Sequence, residues 1–277
     1  MPESLGIIAG GGDLPRAVAE SARESGGSIF VVALEGSAQD WVKAYPHVWV
    51  GLGQTGKAFR ALRDAGCTTV LLVGQVERPK FASIKLDAKS VLLAPRVIAA
   101  ALKGDDALLR ALVELFEREG FRAVSASDAA PSLVVQTGPI GRLKPDATHE
   151  TDIALGFKVV RALGALDVGQ AAIVCNGLTL SVEAAEGTDA MIARVANLPE
   201  HVRGTPGKRR GVLVKAPKPI QDRKTDLPVI GIQTITNAAQ VGLAGIAVEA
   251  GGALVVDRGV VAAAADKAGL FVVGVPT

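Results

Sequence analysis

Apolar and polar positions alternate along the first half of the chain in a regular way. LGIIAG (5–10), SIFVVALE (28–35), HVWVG (47–51) and TVLLVGQV (69–76) are short runs rich in β-branched residues. Amphipathic stretches separate them: a helix from Pro15 to Arg23, another over KAFRALRDAG (57–66), and ALLRALVELFEREGF (107–121), where Leu108, Leu112, Leu115 and Phe116 share one helical face. FRAVSAS (121–127) supplies a further strand. Strands that alternate with crossover helices predict a parallel, doubly wound sheet.

The pattern changes after residue 130. PSLVVQTGPIGRLKPDATHE (131–150) is rich in Pro, Gly and Thr and predicts a linker. A helix over 151–164 follows, and AAIVCNGLTLSVEA (171–184) holds Asn176-Gly177 between two apolar runs, a type I′ hairpin signal. ALVVDRGVVA (253–262) predicts a second hairpin turning at Asp257-Arg258-Gly259, followed by a short helix and by LFVVGV (270–275) as the terminal strand. The expected fold is therefore α/β: a Rossmann-like parallel-sheet domain over 1–130, and a mixed α+β domain over 151–277 that carries the catalysis.

Composition narrows the function. Of 277 residues, 49% are hydrophobic but only 4% aromatic, so Ala, Val, Leu and Ile must form the core. The formal charge of +2 comes without a long basic run or stacking aromatics, which argues against nucleic acid as a partner. Cys67 and Cys175 sit in apolar stretches without metal-ligand spacing, as buried thiols of a reducing compartment do. MPESLGIIAGGG lacks the charged and apolar regions of a signal peptide, and polar residues interrupt the uncharged stretch 227–248. A cytoplasmic protein, at most peripheral to a membrane, is expected.

Two glycine loops invite comparison with nucleotide sites. IIAGGGDLPRAV (7–18) has the strand, turn and helix of a phosphate-binding corner, with Gly11, Gly12, Asp13 and Leu14 as candidate contacts. Pro15 replaces the third glycine of the dinucleotide fingerprint, although Glu35 at the end of the second strand keeps an NAD-dependent oxidoreductase as an alternative. GLGQTGK (51–57) imitates a phosphate loop, but Ala58 lacks the hydroxyl that holds magnesium, so a helix start with a surface Lys57 is expected. Gln75, Glu77 and Arg78 follow a strand at its carboxyl end, where open α/β sheets bind ligands.

Carboxylates cluster in the second half. VEAAEGTDAMIARV (182–195) places Glu183, Glu186 and Asp189 around a helix start for which Thr188 is the expected N-cap. VKAPKPIQDRKTDLPVIG (214–231) reads as a strand ending at Lys215 and a proline-stiffened loop bearing Asp222 and Asp226 among Lys218, Arg223 and Lys224. Hard oxygen ligands suit Mg2+ or Mn2+, and the cations suit phosphate oxygens. The combination points to a phosphoryl or pyrophosphoryl group, with a non-catalytic nucleotide or lipid carrier as an alternative. His47, His149 and His201 have no evident nucleophilic partners.

IAGGGDLP (8–15), GQVERP (74–79), DVGQAAIV (167–174), VEAAEGTDAMIAR (182–194) and KAPKPIQDRKTDLPVIG (215–231), in this order, resemble the UDP-2,3-diacylglucosamine pyrophosphatases of the LpxI type. The resemblance implies a cytoplasmic, Mg2+-dependent hydrolase of lipid A biosynthesis at the inner face of the inner membrane. Such an enzyme cuts UDP-2,3-diacylglucosamine into UMP and lipid X (2,3-diacylglucosamine 1-phosphate), with the lipid held between two domains. It implies Asp226 as the essential residue. The chemistry of the residues adds Asp222, Asp189 and Glu186 as metal ligands and Lys215, Thr188 and Gln75 as substrate contacts; a homodimer is compatible with it.

Overall fold

The computed structural model of the protein describes residues 4–76, 84, 86–102, 104–218 and 227–276. The chain divides into two compact units, Met1–Ser132 and Leu133–Thr277.

The first unit is built on five parallel strands: β1 (Ser4–Ala9), β2 (Ser28–Leu34), β3 (His47–Val50), β4 (Cys67–Val73) and β5 (Arg122–Ala123), in the order β3-β2-β1-β4-β5. Ile7, Val31, Val32 and Val70 are wholly buried, as expected for strands covered on both faces. The crossovers include α1 (Leu14–Glu24), α2 (Thr55–Asp64), α3 (Ala88–Ala101) and α4 (Asp105–Arg118), and α5 (Ala126–Ala129) closes the unit. Phe59, Phe116 and Phe121 cluster with Val32, Val50 and Leu62, three of the chain's seven phenylalanines in one core. Helix α3 was not anticipated: Pro95 lies inside it, and its apolar positions do not form the single inward stripe by which a helix is recognised.

The second unit is a six-stranded mixed sheet in the order β6-β13-β11-β9-β7-β8. Its strands are β6 (Gly138–Pro139), β7 (Ala171–Cys175), β8 (Leu178–Val182), β9 (Val212–Lys215), β11 (Gly245–Glu249) and β13 (Phe271–Val275); β10 (Val229–Ile230) and β12 (Leu254–Val255) pair separately. Helix α6 (Ala147–Ala165) packs Ile153, Phe157 and Val160 against Val212, Val214 and Ala247 on one face. Helices α7 (Gly187–Val195), α8 (Ile232–Gln240) and α9 (Arg258–Ala268) cover Ile173, Leu213, Ile246 and Val272 on the other. The alternation of Leu213 with Val212 and Val214 between these two cores is the period-2 signature of a strand covered on both sides.

Both units are α/β, the first with an all-parallel sheet and the second with a mixed one, as the pattern of strands and helices implied. Two expectations for the second unit need correction. The hairpin at Asn176-Gly177 forms, with both residues at positive φ. The one at 257–259 does not: Asp257, in the left-handed conformation, precedes helix α9, whose alanine run favours helix over strand. Strands β9, β11 and β13 are accordingly parallel, joined through helices. Residues 131–150 contain β6, which pairs with β13, and the first turn of α6.

Candidate functional site

In the first unit the chain reverses direction across the sheet between β1 and β4, the position at which open α/β sheets form a ligand crevice. Gly10–Asp13 leave β1 there, and Gly74 and Gln75 leave β4 beside them. The two turns are bonded to each other: the Gly11 amide donates to the Gln75 carbonyl at 2.8 Å and the Gln75 amide returns to Gly11 at 3.0 Å. A Cβ on Gly10 would lie 2.6 Å from the Gln75 carbonyl oxygen, and one on Gly74 2.7 Å from Pro15 Cγ. Pro15 is therefore accommodated because the facing residue has no side chain. The glycine requirement has moved from the helix to the neighbouring strand.

Asp13 is the N-cap residue of α1 without a side-chain capping bond, and Gly12 is exposed with φ +86. The sequence-predicted Gly11, Gly12, Asp13, Leu14 and Gln75 thus share one sheet edge. Glu77 and Arg78 lie outside the described residues.

The lookalike phosphate loop is occupied by the protein itself. Asp87 Oδ2 accepts the Gly56 and Lys57 amides at the start of α2, at 2.8 and 3.2 Å, while its Oδ1 accepts Ser90 N–H and caps α3. Lys57 Nζ donates to the Trp49 carbonyl. The amides that a nucleotide phosphate would need are taken by a carboxylate.

The acidic corner of the second unit is more connected than a capped helix. Glu183 is buried; its Oε1 accepts the Thr188 hydroxyl at 2.8 Å and its Oε2 the Gln170 amide at 3.1 Å. Thr188 is consequently not the N-cap: it lies inside the first turn of α7, Glu186 is the cap residue, and the hydroxyl is directed back to Glu183. Glu186 pairs with Arg194 at 2.7 Å, and Asp189 Oδ1 accepts Asn237 of α8 at 2.8 Å.

Register carries this corner to Lys215. Glu183 N–H bonds to Ala171, Ala171 is paired with Lys215 across β7 and β9, and the Ala216 amide returns to Gln170. Lys215 is 5% exposed, and its ammonium donates to the Val229 carbonyl at 3.1 Å. Lys215 is the last residue of β9, and Val229 opens β10 just past Asp226-Leu227-Pro228, so Lys215 joins the two ends of the loop that carries the aspartates. Asp222 and Asp226 themselves lie outside the described residues. Lys218, three residues beyond Lys215, pairs with Asp167.

Two residues of this region escaped the sequence reading. Gln170 contributes both backbone groups to the corner, and its side-chain oxygen is buried without a hydrogen-bond partner among the described residues. Asp152, 1% exposed, accepts the Asn176 and Gly177 amides and anchors the β7–β8 turn. Asp152 had a signal, for it falls in the helical stripe of Gly156 and Val160; Gln170 had none, because backbone roles leave no mark on side-chain pattern. Glu249, also buried, approaches Arg161 of α6 at 3.9 Å. Burial raises the pKa of both thiols, Cys67 and Cys175, the latter with help from Asp152, as suits inert cysteines. Among the described residues no group of three or more His, Cys, Asp or Glu side chains is placed to hold a metal ion.

A glycine corner at the reversal point of a 3-2-1-4-5 parallel sheet, joined in one chain to a mixed sheet with a charged edge, defines a two-unit α/β protein with a Rossmann-like first half. The model of the LpxI N-terminal domain matches residues 4–133 and that of the LpxI C-terminal domain residues 136–273. The chain is 49% identical over 271 residues to the UDP-2,3-diacylglucosamine pyrophosphatase LpxI of Caulobacter vibrioides, covering 98% of this chain and 97% of the relative. It belongs to the LpxI family.

Proposed function

We propose that this protein hydrolyses the pyrophosphate bond of UDP-2,3-diacylglucosamine to UMP and 2,3-diacylglucosamine 1-phosphate, with Mg2+ as cofactor, Mn2+ serving in its place, and at the surface of a membrane. The observation that carries the reading is the sheet edge itself: the Glu183–Thr188 corner, Lys215 and both ends of the 219–226 loop converge there. Family membership and the name of the relative support the substrate.

The donor set fits a hard cation. Asp226, Asp222, Asp189 and Glu186 offer oxygen alone, and the bonds to Asn237 and Arg194 engage one oxygen each of Asp189 and Glu186. Bound Mg2+ supplies charge neutralisation at the pyrophosphate and makes water more acidic. Asp226 orients the attacking water; water adds to one phosphorus and the bridging oxygen departs on the other. Lys215 places a buried cation at the base of the loop, and the α7 amide end faces the developing anion. The Gly11–Leu14 turn and Gln75 receive the nucleotide-sugar part, so the substrate is held by both units.

The test is UMP release by purified protein from UDP-2,3-diacylglucosamine with Mg2+, with and without chelator. Release that chelation abolishes and Mg2+ restores is expected; no UMP under any divalent cation rejects the function. In the same assay Asp226→Ala is expected to lose turnover and still bind substrate, and normal turnover rejects its role.

A further inference from the structure

Glu35 stands on the same sheet edge as the glycine turn of the first unit. Strand β2 ends at Leu34, and the Glu35 amide makes the last bond to β3, donating to the Val50 carbonyl at 2.9 Å. Gly36, with φ +78, then turns the chain, and the Ser37 and Ala38 amides both donate to the Leu34 carbonyl. That turn carries the loop against the glycine corner, for a Cβ on Gly11 would lie 3.1 Å from the Ser37 carbonyl oxygen. The Glu35 side chain reaches the other flank, over the end of β3, where a Cβ on Gly51 would lie 3.4 Å from its Oε2. Gly51 has no Cβ, and Glu35 is exposed. The carboxylate is thus fixed through its backbone and open to solvent between the exits of β1 and β3.

The strand order fixes what can reach it. In β3-β2-β1-β4-β5 the glycine turn after β1 lies between Glu35 at the end of β2 and Gln75 past the end of β4. A nucleotide-sugar with its phosphates on the turn and its sugar towards Gln75 extends its nucleoside towards β2. An ionised carboxylate only accepts hydrogen bonds, so the group that meets Glu35 is a donor; a phosphate there is repelled. The 2′ and 3′ hydroxyls of a ribose are adjacent donors on the side of the ring away from its phosphate, one for each carboxylate oxygen. An acid at the end of the second strand holds ribose in the same way in dinucleotide-binding sheets of this order. We propose that Glu35 binds the ribose of the nucleotide whose phosphates lie on the Gly11–Leu14 turn, and so selects ribonucleotides over deoxyribonucleotides. The inference rests on the proposed function, which puts the nucleotide-sugar on that turn, and adds the residue that reads its ribose.

The experiment is calorimetric titration of the full-length protein with UMP and with 2′,3′-dideoxy-UMP, which lacks both hydroxyls. Wild type is expected to bind UMP about tenfold more tightly than the dideoxy form. Glu35→Ala is expected to bind UMP about tenfold more weakly and the dideoxy form as wild type does, so that the preference disappears. Glu35→Gln, which keeps one acceptor oxygen, retains part of the preference. The KM for UDP-2,3-diacylglucosamine rises in Glu35→Ala in the same proportion. A wild type that binds the two nucleotides equally overturns the inference, as does a Glu35→Ala protein that keeps the preference. So does a variant that binds both more weakly to the same extent, which confines Glu35 to shaping the loop. A preference that depends on Glu35, without UMP release from the substrate, rejects the pyrophosphatase reading and leaves the ribose contact standing. UMP release with a preference that Glu35→Ala does not alter does the reverse.

Discussion

Single residues in the second unit do work that their type alone does not advertise. The buried Asp152 carboxylate satisfies two backbone amides of an exposed turn held at positive φ. Removing it deprives both amides of a charged acceptor, and hydrogen bonds to charged groups contribute about 1.5–3 kcal/mol. Asp152→Ala is expected to lower unfolding stability by about 2 kcal/mol or more in a urea titration. The turn lies at the opposite end of β7 from Lys215, so turnover per folded molecule is expected to be unchanged. Lys215 is the complementary case. Its ammonium is buried at the end of β9 and donates to Val229 of β10, so the same charge ties these two strands and, under the proposed function, faces the pyrophosphate. Lys215→Met is expected to reduce kcat by about 100-fold, the scale seen when one preorganised group that stabilises transition-state charge is lost. A fall in melting temperature with unaltered kcat would confine Lys215 to architecture.

At the scale of elements, Asp87 couples two helices. Desolvation is the largest single influence on its carboxyl and pushes the pKa up, but the bonds from Ser90, Lys57 and Gly56 together outweigh it and hold the group below its ordinary 3.8. A depressed native pKa stabilises the fold above the unfolded value, and that stabilisation is lost as pH falls through the native one. Asp87→Ala, which uncaps α2 and α3 together, is expected to cost about 1–2 kcal/mol at neutral pH. The gap from wild type should narrow below pH 3.8, as equilibrium unfolding across pH would record; a gap constant with pH would mean that the charge is not what joins the helices. Asp87 also explains why GLGQTGK misleads. The motif is local and the carboxylate that fills it lies 31 positions away, so sequence alone exposed only the missing hydroxyl at Ala58. Legibility followed the same rule elsewhere. The parallel strands of the first unit and the Asn176-Gly177 hairpin were readable because period and turn chemistry are local. Helix α3 was not, since its outward apolar face erases the amphipathic pattern, and neither was the 257–259 turn, where Asp-Arg-Gly suits a hairpin and a helix start equally.

At the scale of the whole molecule, the chemistry proposed here is divided between two compact units, and each has a core of its own. The first closes around Ile7, Val32, Phe59 and Val70, the second around Ile173, Met191, Leu213 and Ile246. Units of this size bury enough surface to fold independently. Residues 4–133 and 133–277 expressed separately are therefore each expected to unfold in a cooperative urea transition. Function should not divide in the same way. The acidic corner, Lys215 and the Asp226 loop belong to the second unit, whereas the glycine turn and Gln75 proposed for the nucleotide-sugar belong to the first. Catalysis draws on binding energy from remote parts of a substrate to position the reacting group, so a half-molecule with the reacting residues alone should forfeit turnover as well as affinity. Neither half is expected to release UMP from UDP-2,3-diacylglucosamine, although both are folded. UMP formation by residues 133–277 alone, at the rate of the intact chain, would place the whole of substrate recognition in the second unit and remove the Gly11–Leu14 turn from the mechanism.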